Sequence, residues 1–486
     1  MSEMHGLLIG GCSSEAESGD HFSDHSPVTG EVIGEFAAAQ PVDACRAVDV
    51  AAQAGQSWAR TSFTVRRAIL LRAADILEAD RIEHRTVFAM ETGGVAAWAD
   101  MNVMEAAATL REAAGVTSTP IGSVLPSHDP STRNISAPGA LERPVAGVVL
   151  AIVPWNAPLV LAARSIAIAL AVGNTVVLRP SELAPITAGH LLAGALERAG
   201  LPPGVVNVVT TAPEQGRTAI EAMIAHPAVR RVVFIGSTPV GRSIAAAAAA
   251  HLTPTVLELG GKNATIVLED ADLDTAVPML AVAAFTNSGQ VCMCTDRILV
   301  HRSIAGELAE RLAATARRMT TGDPRDAGTD LGPLINGAAA DRFHRLVADG
   351  VRRGARVLSG GIDMEGLFAR ATVVADLPGT AELTTQESFA PIVTVHAVDS
   401  DDEAIALAND TDYGLIAAVL SADHHRAEHV ARQLNVGAAH VNGPSVGDEP
   451  HVPFGGLAMS GYGRLGGDES VRTFTEQRSL YLHGAQ

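Results

Sequence analysis

The amino-acid sequence predicts an α/β protein built around a parallel sheet covered by helices on both faces. Three observations predict it. Between residues 147 and 259, five short apolar runs alternate with four helical stretches, the pattern of strand–helix–strand units. A second α/β pattern fills about 260–445. The chain has 486 residues, 47% hydrophobic and 18% charged, a globular balance with enough apolar material for two to four domains.

The elements follow in order. The first 25 or so residues are rich in Gly, Ser and acids and are expected to be loosely held. "SPVTGEVIGEF" (26–36) reads as strand–turn–strand, with Thr29-Gly30 as the turn. From Pro41 to about Gly115 apolar residues recur at i, i+3 and i+4, as in 65–81, which predicts helices. The polar segment 133–147 reads as a hairpin arm. Buried strands are expected at 147–153, 175–178, 204–210, 231–236 and 255–259, with helices at about 158–171, 186–199, 216–225 and 239–252. The last helix holds six consecutive alanines, 245–250, which favour helix and allow close packing. Later strands are expected at 297–301 and 390–398.

Charge and composition exclude several classes. A net charge of −19 argues against nucleic-acid or anionic-membrane partners, which need basic patches. The most apolar stretch, 157–173, is interrupted by Arg164 and is too short for a membrane span. No charged start with an apolar run marks a signal peptide, and four cysteines make no disulfide framework, so a reducing cytoplasm is the expected compartment. Lys262 is the single lysine; the other 34 of the 35 basic residues are arginines.

Gly461, Gly463 and Gly466 have G-x-G-x-x-G spacing, but no apolar strand precedes them, so the match is rejected. "VVFIGSTPVGRSIAAAA" (232–248) is better. A strand runs into Gly236-Ser237, a helix starts near Pro239, and Gly241 permits close approach; helix N-termini attract phosphate. An ordinary capped strand–helix turn is equally consistent with those residues. In "LRPSE" (178–182), Glu182 can accept hydrogen bonds from ribose hydroxyls and Arg179 can donate to the same sugar, although a solvated charge pair reads the same way.

"SGQVCMC" (288–294) places Cys292 and Cys294 two positions apart. A zinc site needs two further ligands, and none is near; redox pairs of the thioredoxin type are spaced C-x-x-C. A buried structural pair or a nucleophile remains. The nucleophile reading draws on two other segments. "VPWN" ends a strand with Asn156, whose amide N–H can stabilise an oxyanion. "LELGGKN" ends another with Glu258, a candidate base, followed by two glycines.

Taken together, "VPWNAPL", "RPSE", "FIGSTPVG", "LELGGKN", "SGQVCMCTDR", "ESFAP" and "VPFGGLAMSGYGR", in this order over roughly 25–482, resemble the aldehyde dehydrogenase superfamily. The resemblance implies a Rossmann-like cofactor domain (1–125 and 147–258), an α/β catalytic domain (259–445) and a β-strand oligomerisation arm (126–146 and 470–486). It implies Cys292, not Cys294, as nucleophile, Glu258 as base and Asn156 as oxyanion donor. It implies cofactor contacts from Trp155, Arg179, Ser181, Glu182, Gly236, Ser237, Gly241, Leu259, Glu387 and Phe389. Family members that pass the acyl group to coenzyme A usually lack the glutamate, so Glu258 favours release of a carboxylic acid.

The chain departs from the family pattern at three places: Arg179 and Ala458 stand where lysine is usual, and Ala390 where glycine is usual. "WNAPLVLAARSIA" and "GQVCMCTDR" are most similar to the branch that oxidises aromatic aldehydes, which implies a pocket including Leu161 and Arg164. Arg164 would then pair with a polar or anionic ring substituent, or merely cover its helix at the surface. An aliphatic semialdehyde stays open as substrate. NAD is the expected cofactor, since Glu182 would repel a 2′-phosphate; Arg179 leaves NADP open. The expected partners are a small-molecule aldehyde and copies of the same chain, as homodimer or homotetramer. A thiol acyltransferase and a non-catalytic binding protein are the competing classes, which the phosphate turn and the intact trio argue against.

Overall fold

The structure is a computed structural model that describes residues 3–119, 122–128, 132–138 and 147–483. Two large sheets organise it. The first has eight strands, in the order Gly461–Tyr462, Thr255–Glu258, Val229–Ile235, Val148–Val153, Thr175–Pro180, Val206–Val208, Leu7–Ile9, Cys12–Ser14. Its five middle strands are parallel, and these are the five expected from the apolar runs. Val148–Val153 and Thr175–Pro180 are buried at every position, which is why they read as unbroken runs rather than alternating ones.

The chain lays down Val148–Val153 and grows outward through the next two strands. It then returns to the other side of Val148–Val153 with Val229–Ile235 and Thr255–Glu258. That reversal is a topological switch point, where open parallel sheets leave a crevice beyond the strand ends. Trp155-Asn156 and Gly236-Ser237 follow the two strands that flank it.

Helices α1 (Pro41–Trp58), α2 (Phe63–Ala79), α3 (Arg81–Thr92) and α4 (Ala96–Val116) confirm the helical reading of 41–115. The N–H of Gln40 donates to the Asp43 carboxylate (3.1 Å) at the start of α1, and α3 stops at Gly93 in the left-handed region (φ +71°). The sheet is crossed by α5 (Pro158–Ala171), α6 (Leu191–Arg198), α7 (Gly216–Ala225) and α8 (Thr238–Ala249). A π-helical turn, Ile186–His190, precedes α6, so the expected helix at 186–199 is two pieces. Of the alanines 245–250 only Ala248 is buried; α8 packs through Gly241, Ile244 and Ala248, one helical stripe.

The second sheet has seven strands, in the order Arg356–Ser359, Thr372–Ala375, Ile392–Val398, Arg297–His301, Ala264–Val267, Ile416–Leu420, Ala438–Val441, and all but the first pair are parallel. The helix α9 (Leu273–Phe285) packs on it and leads into the cysteine segment.

Three expectations need correction. The N-terminal stretch is ordered: Glu3–His5, Leu7–Ile9, Cys12–Ser14 and His21–His25 are strands, and Leu7 is fully buried. The hairpin is formed by His21–His25 and Val32–Ala37, with Ser26–Glu31 as its turn, so its first strand lies ahead of 26. The strand expected from 390 begins at Ile392, because Phe389 has φ +47° and Ala390 closes a turn. A small antiparallel sheet joins Gln477–His483, Thr132–Pro138 and Ser123–Leu125. Residues 129–131, 139–146 and 484–486 of the expected arm lie outside the described residues. Among the described residues, no helix is long and apolar enough to cross a membrane.

Candidate active site

Asn156 leaves the end of Val148–Val153 and is fixed from three sides. Trp98 Nε1 of α4 and Asn287 Nδ2 donate to its carbonyl (2.9 and 3.1 Å), while its own Nδ2 donates to the Gln290 carbonyl (3.1 Å). The strand end is thereby tied to the segment two residues before Cys292.

That segment is not the flexible loop its glycine and serine suggest. Asn287, Ser288 and Gly289 all have positive φ (49°, 54° and 70°), and a Cβ on Gly289 would collide with the Ala390 carbonyl. Ser288 Oγ donates to the Gly332 carbonyl (2.8 Å). Gln290, 1% exposed, accepts from the Ile335 N–H (3.0 Å) and donates to the Pro333 carbonyl (3.2 Å). Asn263 Nδ2 then donates to the carbonyls of both Cys292 (2.7 Å) and Cys294 (2.9 Å). Two buried side-chain amides therefore clamp the main chain on either side of the thiol.

The two cysteines separate in role. Cys294 is buried in an apolar cluster with Trp98, Ala157 and Val291, and its Sγ lies 3.8 Å from the Thr286 carbonyl. Cys292 is half-buried. Burial pushes its thiol up to about 12, reinforced by the negative charges of Glu387, Glu258 and Asp448.

Glu258 ends its strand 5% exposed, and neither carboxylate oxygen has a hydrogen-bond partner. Burial raises its pKa well above the ordinary carboxylate range; Arg464 and Arg164 oppose the shift and Asp448 adds to it. A Cβ on Gly455 would stand 2.5 Å from Glu258 Oε1, so the missing side chain makes room for the acid. A buried acid left without donors is costly, and such groups concentrate at functional sites.

The expected cofactor residues lie along the same strand ends. The Gly236 N–H donates to the Glu258 carbonyl (3.0 Å). Ser237 opens α8 without a side-chain cap, and a Cβ on Gly241 would sit 2.5 Å from Leu259. On Thr175–Pro180, across Val148–Val153 from that turn, Arg179 donates to Thr211 Oγ1 (3.1 and 2.8 Å) and pairs with Glu182 (3.0 Å). Ser181 accepts from the Leu183 N–H (3.2 Å). Glu387 accepts from the Gly261 N–H (3.0 Å), and burial lifts its carboxyl to about 7. The Phe389 ring meets Trp155 edge-on, 5.8 Å between centroids. Lys262 is 1% exposed, its Nζ 3.3 Å from Asp296 Oδ1, and Asp296 also accepts from the Ser388 hydroxyl and N–H. The compact ammonium fills a fully enclosed site, which accounts for one lysine in a chain otherwise using arginine.

Leu161 and Arg164 lie on α5. Leu161 packs on the cluster around Cys294. Arg164 is not a surface arginine: it is 6% exposed, ion-paired with Asp448, bonded to the Glu449 carbonyl (3.3 Å), and 5.8 Å from the Phe454 ring centroid. Of the departures from the family pattern, Ala390 is buried against Gly289. Ala458 is exposed, so its side chain stays out of the site. Asn263, Asp296, Trp98 and Asp448 were not singled out from the sequence. Asn263, inside "LELGGKN", and Asp296, inside "SGQVCMCTDR", sat in quoted motifs; Trp98 and Asp448 did not.

Comparison with known proteins agrees with this geometry. The model of the aldehyde dehydrogenase family matches residues 14–480. The chain is 46% identical to a vanillin dehydrogenase of a Pseudomonas species, over 98% of this chain and 97% of that protein. It is 38% identical to an NAD(+) benzaldehyde dehydrogenase of Pseudomonas putida, over 94% and 92%. The crystal structure of a salicylaldehyde dehydrogenase from Pseudomonas putida, complexed with salicylaldehyde, superposes with a TM-score of 0.96 at 35% identity, covering 99% of this chain and 98% of that one. The motifs, the two-sheet fold and these likenesses agree: the chain belongs to the aldehyde dehydrogenase family.

Proposed function

We propose that the protein oxidises an uncharged aromatic aldehyde to the carboxylic acid with NAD, using Cys292 as nucleophile, Glu258 as base and Asn156 as oxyanion donor. The observation that carries the reading is Glu258, buried and unpartnered beside a thiol clamped by Asn263 and Asn156. A raised pKa makes its carboxylate a stronger base near neutrality. Glu258 takes the Cys292 proton as the sulfur adds to the aldehyde carbon. The Asn156 amide has a second N–H beyond the one given to Gln290, and that N–H with the Cys292 N–H receives the oxyanion. NAD supplies the hydride acceptor, and loss of hydride leaves an acyl thioester on Cys292. Glu258 passes the first proton to solvent, then removes a proton from the water that attacks the thioester; the thiolate leaves, takes that proton back from Glu258, and the acid is released.

The residues present fit NAD. The uncapped start of α8 at Ser237 offers free N–H groups to a phosphate, Glu182 with Arg179 presents a ribose partner, and a Cβ at Gly260 would collide with Glu387, so the cradle needs that glycine. The likeness to the NAD(+) benzaldehyde dehydrogenase supports the same choice. Trp98, Leu161, Met293 and Val446 make an apolar wall beside the cysteine segment, suited to a ring, and the vanillin, benzaldehyde and salicylaldehyde relatives support an aromatic substrate.

We further propose domains at 1–125 with 147–258 and at 259–445, a cytoplasmic setting, and self-association through the small sheet. That sheet exposes Val124, Leu125, Tyr481 and Leu482. The test of the activity is NAD reduction with a panel of ring and aliphatic aldehydes. Cys292→Ser is expected to abolish it. Full activity in that variant, with loss in Cys294→Ser, would reverse the assignment.

A further inference from the structure

Arg164, which the aromatic-aldehyde reading places at the substrate pocket, is a cation that the proposed reaction does not use. Arg164 is buried on α5, in reach of the electrostatics of Glu258, and would by itself anchor an anionic ring substituent. It is already occupied. Asp448 holds one terminal nitrogen, the Glu449 carbonyl the other, and Phe454 lies beneath.

The charges facing this pair come from several elements. Glu105 of α4 is held above the usual carboxylate range by burial, then by Asp448. Glu258 stands on the strand side and Cys292 on the cysteine segment, and the charge of Asp448 reaches both. His440 also faces Asp448, with burial pulling its pKa down, so it brings no positive charge near neutrality. Arg464, the other cation acting on Glu258, donates to the Gly456 and Gly463 carbonyls (2.9 and 2.6 Å). The segment carrying Asp448 is fastened to the cysteine segment: Ser445 Oγ donates to the Met293 carbonyl (2.8 Å) and meets Thr295 Oγ1 (2.9 Å), and Val446 joins the apolar wall. Asp448 is therefore held in place, and what it cancels is the charge of Arg164, a buried cation on α5.

We propose that Asp448 is a specificity-determining residue: by occupying Arg164 it gives the pocket a neutral-to-negative wall that admits uncharged ring aldehydes and turns away those bearing a carboxylate. The proposal rests on the aromatic-aldehyde reading and deepens it. Rejection comes from repulsion, the route by which sites discriminate without tighter contacts to the preferred substrate.

The experiment compares kcat/KM for benzaldehyde and 4-carboxybenzaldehyde in the full-length enzyme with NAD. The native enzyme is expected to favour benzaldehyde by roughly 100-fold or more. Asp448→Asn is expected to narrow that ratio by about tenfold, through a lower KM for the carboxylated substrate, and Asp448→Glu to keep it. Adding Arg164→Met to Asp448→Asn is expected to cancel the gain. Native activity on both substrates alike, or an unchanged ratio in Asp448→Asn, overturns the proposal. Should Asp448→Asn fold poorly, Arg164→Met is compared with the double variant Arg164→Met, Asp448→Asn. Loss of Arg164 alone bares the Asp448 charge and is expected to lower the carboxylated rate by about tenfold more than the benzaldehyde rate, and removing Asp448 as well is expected to restore it. Equal carboxylated rates in the two variants would show that Arg164 binds the anion, and the proposal falls. The two readings fail differently. An enzyme active only on aliphatic aldehydes sinks the aromatic reading, whereas one that oxidises benzaldehyde with a ratio insensitive to Asp448 sinks only this inference.

Discussion

Glu258 and Glu91 are both buried glutamates, and they have opposite surroundings. Glu91, fully buried at the end of α3, accepts from the N–H groups of Ile186 (2.7 Å) and Thr187 (2.8 Å) and from the Thr187 hydroxyl. It closes the π-helical turn before α6. Glu258 accepts from nothing. Burial raises both, Glu91 to about 7 and Glu258 well above its ordinary range. A perturbed pKa therefore does not distinguish a structural acid from a reactive one in this molecule. The donors do: Glu91 has three, and Glu258 keeps both oxygens free for a proton in transit.

The largest expected effect breaks that symmetry. Glu258→Gln should lower steady-state turnover by about 10³-fold, with a burst of NADH from the acylation step if thiol activation survives, and should leave the melting temperature unchanged or higher. Glu91→Gln should do the reverse. It places an amide against backbone donors, costs about 2 kcal/mol or more, and leaves the rate per folded molecule near native. Equal losses of activity in the two variants, at equal stability, would erase the distinction.

Next in size is Asn263→Ala. Without the clamp on the Cys292 and Cys294 carbonyls, kcat should fall by about tenfold to 100-fold while the KM for NAD moves little. A change confined to KM would mean that Asn263 positions the cofactor side instead.

The pH dependence of stability sharpens the comparison further. Asp24, 2% exposed beside Glu91, is pushed up to about 9 by burial and then by the charge of Glu91. Both folded pKa values exceed the unfolded ones, so the folded state binds protons more tightly. Their stabilisation is complete below about pH 4 and is lost as pH rises through about 7 and on to about 9. The melting temperature should decline over that window, and Asp24→Asn should flatten its upper part. A native curve that is flat or rising there would contradict the pairing.

The smallest effect is expected at Cys294. Cys294→Ala trims a buried side chain, costing about 1 kcal/mol, and should leave kcat within about threefold of native.

How much of this was legible follows from the distance over which each feature is determined. The five middle strands of the first sheet read clearly because both of their faces are buried. Cys292, Glu258 and Asn156 were singled out because each sits in a short, dense motif. The N-terminal strands were missed because Leu7–Ile9 and Cys12–Ser14 are three residues each, paired at the sheet edge with partners unrelated to local pattern. The surface reading of Arg164 failed because its partner Asp448 lies 284 residues away. The rigidity of 288–291 was hidden for a related reason. Gln290 satisfies itself on Pro333 and Ile335, and the left-handed backbone falls on Asn287 and Ser288 as well as on glycine.

The edge strand Gly461–Tyr462 carries a consequence for biosynthesis. It pairs with the strand that ends in Glu258, and the hydroxyls of Thr255 and Tyr462, 207 residues apart, meet at 2.6 Å. At roughly 5–20 residues per second, a ribosome delivers that neighbour some 10–40 s after the glutamate has emerged. The seat of the base is thus completed near the end of translation, and a chain stopped short of residue 461 holds the thiol, the amide and the acid without the frame that turns them on one another.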